Sequence, residues 1–144
     1  YIDKIIVSSD ADEILARVPE SMRLKRPPEL STDAAPSEAA CIHAIQSFPG
    51  FDFLILLQPT SPCRSTQDID TTIRYAYTYP SAKACTVSEH SLAPNGAAYA
   101  ISTSLLLQTY PTIPLSKYAH PHPMPASRSI DIDYHSDLQR ATTA

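Results

Sequence analysis

The stretch "FDFLILLQPTSPCR", residues 51–64, sets five consecutive apolar residues, Phe53 to Leu57, directly before a polar loop with two prolines. An unbroken apolar run of this length suits a strand covered on both faces, as in a parallel sheet sandwiched by helices. The strand is predicted to stop at Gln58-Pro59. Ser65 then stands three residues before Asp68, a capping-box pattern, and Ile69, Ile73 and Tyr77 mark the predicted inner face of the helix it opens.

Upstream, "DKIIVSSD" reads as a strand over 5–7 ending in a polar loop, and "ADEILARV" has the apolar spacing of a short helix. A second short strand is expected over 22–24. The paired prolines of "RPPEL" (26–30) break any helix. A capping residue within Ser31–Asp33 and Pro36 near a first turn then introduce a helix whose apolar spacing runs through Ala40, Cys41, Ala44, Ile45 and Phe48. Downstream, "ACTVS" (84–88) reads as a strand, and Asn95-Gly96 as a turn into the strand "AAYAI" (97–101). A helix over 103–108, a proline-rich crossing over 110–125 and a last helix over 136–141 complete the pattern. Strands alternating with helices predict one α/β domain, residues 1–144, with three layers around a mainly parallel sheet. Ligands of such sheets sit at the carboxyl ends of the strands.

Just before the last helix, "SIDID" (129–133) reads as a short strand with Ile130 and Ile132 on one face. Asp131 and Asp133 then share the other face about 7 Å apart. Two carboxylates so placed suit a divalent metal ion, or a solvated strand edge.

The composition narrows the function classes. A formal charge of −4, with no Lys/Arg run longer than two residues, builds no basic surface for nucleic acid. The longest apolar run is far short of a membrane span. Cys41, Cys63 and Cys85, odd in number and free of any CxxC, fit a reducing compartment, the cytoplasm or a eukaryotic nucleus. His120-Pro-His122 and His135 have no cysteine or carboxylate at zinc-ligand spacing and read as solvated connectors; His43 reads as a packing residue.

Read together, "RPPELSTDAAPS" (26–37), "LLQPTSPCRSTQDID" (56–70), "PNGAAYAI" (94–101) and "SIDIDYHSDLQRA" (129–141) occur in the order seen in acylneuraminate cytidylyltransferases, the CMP-sialic acid synthetases. The chain resembles that family in four blocks in register. The resemblance implies a nucleotide-diphosphosugar-transferase-like, Rossmann-like fold and a magnesium-dependent reaction of CTP with a nine-carbon sialic acid, releasing pyrophosphate. It implies Asp131 and Asp133 as the catalytic metal-binding pair, Gln58, Asn95 and Tyr99 as sugar contacts, Arg26 and Ser37 as nucleotide contacts, and a homodimer. Arg64 matches a basic position without an assigned role.

The chain departs from the family pattern in two places. The glycine-rich loop that cradles the CTP phosphates in that family has no counterpart here, where Gly50 and Gly96 are the only glycines. The fold is therefore expected to be incomplete at its N-terminus, with a segment before Tyr1 trimmed or lost. Between Glu89 and Pro94 only "HSLA" stands where the family carries basic residues for the sugar carboxylate, which leaves Lys83, Lys117 and Arg128 as cations for it. Both departures favour a second reading, a homologue that keeps the fold and binds a nucleotide or partner subunit without transfer. A third is a cytidylyltransferase for a 3-deoxy-octulosonate, although "NGAAY" and "SIDID" lie nearer the sialate branch.

Overall fold

Small side chains, rather than the large aliphatics of 53–57, fill the centre of the main sheet. A computed structural model, which describes residues 2–143, divides the chain into two units, Tyr1–Phe51 and Asp52–Ala144. Both are α/β. In the first, β1 (Val7–Ser9) and β2 (Arg23–Lys25) pair in parallel, with Val7 opposite Arg23. Parallel neighbours need a crossover, and it contains α1 (Asp12–Leu15), whose Leu15 is buried. Pro28 opens a 3-10 turn, Pro28–Leu30, since a proline without N–H is tolerated in a first turn. The helix α2 (Ser37–Ser47) has Pro36 at its N-cap position, so the expected cap within Ser31–Asp33 is not used.

The second unit holds a four-stranded sheet of β3 (Phe53–Leu56), β4 (Lys83–Ser88), β5 (Pro94–Ser102) and β6 (Ala119–Met124), in the order β3-β5-β4-β6. Strand β5 is antiparallel to both β3 and β4, whereas β4 and β6 are parallel. The sheet is thus mixed rather than mainly parallel: β3, β4 and β6 run one way and β5 alone is reversed. The connection 89–93 explains the reversal, because it is hairpin-sized and a parallel crossover needs about a dozen residues or more.

Strand β6 falls inside the stretch expected to be an irregular crossing. It lies at the sheet edge, and prolines are tolerated there. Pro121 and Pro123 alternate with His120 and His122, so the period of two turns both missing donors to the same lateral side, away from β4. The segment 129–132, in contrast, forms no strand; "SIDID" is a connection between β6 and α5 (His135–Thr143).

The core sits on β4 and β5. Ala84, Cys85, Val87, Ala97, Ala98, Ala100 and Ile101 are all buried, while Phe53–Leu56 of the edge strand β3 are only half-buried. The run expected to be covered on both faces is therefore not the sheet centre. The helix α3 (Thr66–Thr78) packs on β4, β5 and β6 through Asp68, Thr72 and Ala76. This line lies one position from the predicted one, and Tyr77 is 71% exposed. Short side chains on both surfaces let the helix approach closely, and the larger Ile69 and Ile73 flank the contact. The helix α4 (Thr103–Thr109) is capped by Ser102 Oγ, which accepts from the Leu105 amide at 3.3 Å. Among the described residues, no helix is long and apolar enough to cross a membrane.

Candidate functional site

Because β5 is reversed, its amino end meets the carboxyl ends of β3, β4 and β6. The loop after β3 is braced from within: Arg64 Nη1 donates to the carbonyls of Gln58, at 2.8 Å, and Ser61, at 2.5 Å. The Gln58 amide donates to the Gly96 carbonyl at 3.3 Å, joining loop to strand. Ser61, 1% exposed, donates its hydroxyl to the Asn95 carbonyl at 2.6 Å. The same Oγ lies 3.4 Å from Asp131 Oδ1.

Asn95-Gly96 is not a turn before a strand but an irregularity within β5. Cys85 faces Tyr99, yet Val87 faces Pro94, so the register slips between them. Bulges of this kind often use a glycine in the left-handed region, and Gly96 has φ +75°. Asn95 is buried; its Nδ2 donates to Ser129 Oγ at 3.1 Å, and its Oδ1 accepts from the Ala97 amide at 3.2 Å. Tyr99 sits deeper in β5, opposite Leu56.

The acidic segment reaches this loop without strand pairing. The Ile132 amide donates to the Thr60 carbonyl at 2.8 Å. Burial alternates along it: Ile130 is buried, Ile132 half-buried, and Asp131 and Asp133 are exposed. The Asp133 amide is held by Asp137 Oδ2 at 3.3 Å, which also accepts from the Tyr134 amide at 3.0 Å and so fixes the first turn of α5. Asp131 and Asp133 are thus exposed on an irregular segment, with Asp131 beside Ser61 of the loop after β3.

A second polar cluster, missed in the sequence, lies behind. Asp68, 1% exposed, caps α3 by accepting from the Ser65 amide at 2.8 Å and hydroxyl at 2.6 Å. It also accepts from Arg128 Nε at 2.9 Å and Nη2 at 3.1 Å. Its Oδ1 lies 3.2 Å from His122 Nε2, and because an ionised carboxylate only accepts, that nitrogen must carry the hydrogen. Burial pushes the Asp68 carboxyl up, but the hydrogen bonds from Arg128, Ser65 and His122 together outweigh it and hold the group well below the usual carboxylate range. The capping signature was legible; the partnership with Arg128, 60 residues away, has no local signal.

Lys83 begins β4, at the end of the sheet away from Gln58, and donates to the Pro114 carbonyl at 2.7 Å. Lys117 lies over the Tyr118 ring, 5.2 Å from its centroid. His120, though exposed, stacks on Tyr75 with ring centroids 3.6 Å apart, and half-buried His122 meets Asp68, so the two histidines lie on a strand and face α3 rather than sitting in a connecting loop. In the first unit, Arg26 Nη2 donates to the Ser8 carbonyl at 2.6 Å and Nε to Ser8 Oγ at 3.2 Å, and Ser37 is the exposed first residue of α2. Among the described residues, no group of three or more His, Cys, Asp or Glu side chains is arranged to hold a metal. No protein-family model matches the chain, and no curated protein matches it.

Proposed function

We propose that the chain is an acylneuraminate cytidylyltransferase-like nucleotidyltransferase of the three-layer nucleotide-diphosphosugar-transferase type. The observation that carries the reading is the convergence of three of the four resembling blocks on Ser61, which donates to the Asn95 carbonyl at 2.6 Å and lies 3.4 Å from Asp131. Residues separated by up to 70 positions meet at one buried hydroxyl, on the end of the sheet where strand carboxyl termini gather.

In the proposed reaction, the anomeric hydroxyl of the sugar acid attacks the α-phosphorus of CTP. The bond from that phosphorus to the bridging oxygen breaks, pyrophosphate leaves, and the hydroxyl proton is released. Asp131 and Asp133 fit magnesium, which is held by one or two carboxylates plus substrate phosphates more often than by an all-protein cage. That ion, when bound, offsets phosphate charge and acidifies the attacking hydroxyl. Gln58 offers a neutral donor and acceptor to a sugar hydroxyl without adding charge beside a triphosphate. Tyr99 and Asn95 belong to the sugar contacts in this reading, Asn95 chiefly by holding Ser129. Arg26 and Ser37, in the first unit, are nucleotide contacts by the resemblance alone.

The test is pyrophosphate release from CTP, magnesium and a nine-carbon sugar acid. Asp131→Asn and Asp133→Asn are each expected to lower the rate by about a hundredfold or more; full activity in both overturns the metal assignment. The scarcity of glycine favours one competing reading, a homologue that binds without transfer. Calorimetry with CTP and magnesium separates the two, since nucleotide binding without turnover supports the competitor.

A further inference from the structure

We propose that Asp68 is a positioning residue for the acidic segment, acting through Arg128. Three observations join the two. Asp68 is buried at the first turn of α3, the helix packed on the sheet core, so it is a fixed point. Arg128, 40% exposed in its side chain, is gripped by both carboxylate oxygens, with Nε on Oδ2 and Nη2 on Oδ1. Such a fork fixes orientation as well as distance. Arg128 also ends the turn after β6, in which the Arg128 and Ser129 amides both donate to the Pro125 carbonyl.

From that turn the constraint passes along the chain. Ser129 Oγ donates to the Met124 carbonyl at 2.9 Å and accepts from Asn95 Nδ2 at 3.1 Å. Two residues later, Asp131 emerges beside Ser61. Apart from the buried Ile130, the segment has no strand ladder to hold it. Its fastenings are the Arg128 fork and the Ser129 bonds on one side, and the Ile132 amide on the Thr60 carbonyl and the Asp133 amide on Asp137 on the other. The fork is the fastening that ties this segment to the buried first turn of α3.

Amide hydrogen exchange at Ile132 in the ligand-free protein tests this directly. Asp68→Asn and Arg128→Gln are each expected to speed exchange by about tenfold, and the double variant no more than either alone, because each removes the same fork. Ser65→Ala weakens the α3 cap but leaves the fork in place, so Ile132 should stay near the wild-type rate. Unchanged exchange in Arg128→Gln, a multiplicative double effect, or equal acceleration in Ser65→Ala overturns the proposal. Arg128→Gln, at a half-exposed position, keeps the test open if Asp68→Asn fails to fold. The functional consequence rests on the cytidylyltransferase reading: the magnesium concentration giving half-maximal pyrophosphate release should rise about tenfold in both fork variants and not in Ser65→Ala. If the wild type releases no pyrophosphate, that reading fails while the exchange result still decides the role of Asp68.

Discussion

Gly96 leaves the space that the Gln58 side chain occupies: a β-carbon on Gly96 would overlap Gln58 Oε1 and come within 3.0 Å of Ser61 Oγ. The loop bearing the proposed sugar contact and the β5 irregularity are therefore fitted to each other. Gly96→Ala combines this overlap with a backbone at φ +75°. Gly50, at φ +95°, has nothing within 4 Å of its hypothetical β-carbon and isolates the backbone effect. Gly50→Ala is expected to cost about 1 kcal/mol and Gly96→Ala about 2–4 kcal/mol. Thermal or urea midpoints measure the difference, and equal losses would show that the Gln58 side chain moves aside freely.

Asp68 predicts the acid limb of stability. Its folded-state carboxyl lies below the ordinary value, because Arg128, Ser65 and His122 overcome the opposing effect of burial. A lowered folded pKa means that the unfolded chain takes up the proton first. The contribution is therefore fully present above the unfolded pKa, about 3.9, and is lost as pH falls below it. Asp68→Asn should cost about 2–4 kcal/mol at neutral pH and flatten the fall in urea midpoint between about pH 5 and pH 2. Parallel pH profiles for the two proteins would refute the assignment.

Local chemistry made part of this legible. Ser65 and Asp68 announce a cap by spacing alone, and α3 follows. The direction of β5 is written in the short connection 89–93, yet the apolar run 53–57 pointed to parallel neighbours, and that run proved to be a half-buried edge. Prolines at alternate positions hid β6, since they argue against a central strand while permitting an edge. In "SIDID" the two isoleucines do share the less exposed side, Ile130 buried and Ile132 half-buried, but without the expected strand. The Arg128 fork and the Ser61 hydroxyl depend on residues far apart in sequence, and no periodicity encodes such meetings.

The three thiols should separate by access. Burial, reinforced by Glu38 and only partly opposed by Arg26, pushes the Cys41 thiol up to about 12, and burial also raises Cys85. The thiolate is the reactive form, and both side chains are closed to reagent, whereas Cys63 is half-exposed with Sγ 3.8 Å from the Ala141 carbonyl. An aromatic disulfide reagent at pH 8 should therefore label one thiol rapidly and the other two only on unfolding. Rapid labelling of Cys41 or Cys85 in the native protein, read by peptide mapping, would contradict their burial.

Ser61 has one proton and two neighbouring acceptors, and the distances assign it. At 2.6 Å the Asn95 carbonyl takes the hydrogen bond, while Asp131 Oδ1, at 3.4 Å, is placed beside the hydroxyl without being strongly held by it. Ser61→Ala leaves a buried carbonyl without that donor and should cost about 1–3 kcal/mol. Since Asp131 keeps its place through the Ile132 amide and the Arg128 turn, the proposed magnesium-dependent release of pyrophosphate should change its magnesium dependence by less than about threefold. Stability and metal dependence thus part company in this variant, whereas Asp131→Asn should leave stability nearly unaltered and abolish the metal response. A Ser61→Ala protein with wild-type stability and a strongly weakened magnesium response would transfer the proton to Asp131 and make Ser61 part of the ion's surroundings.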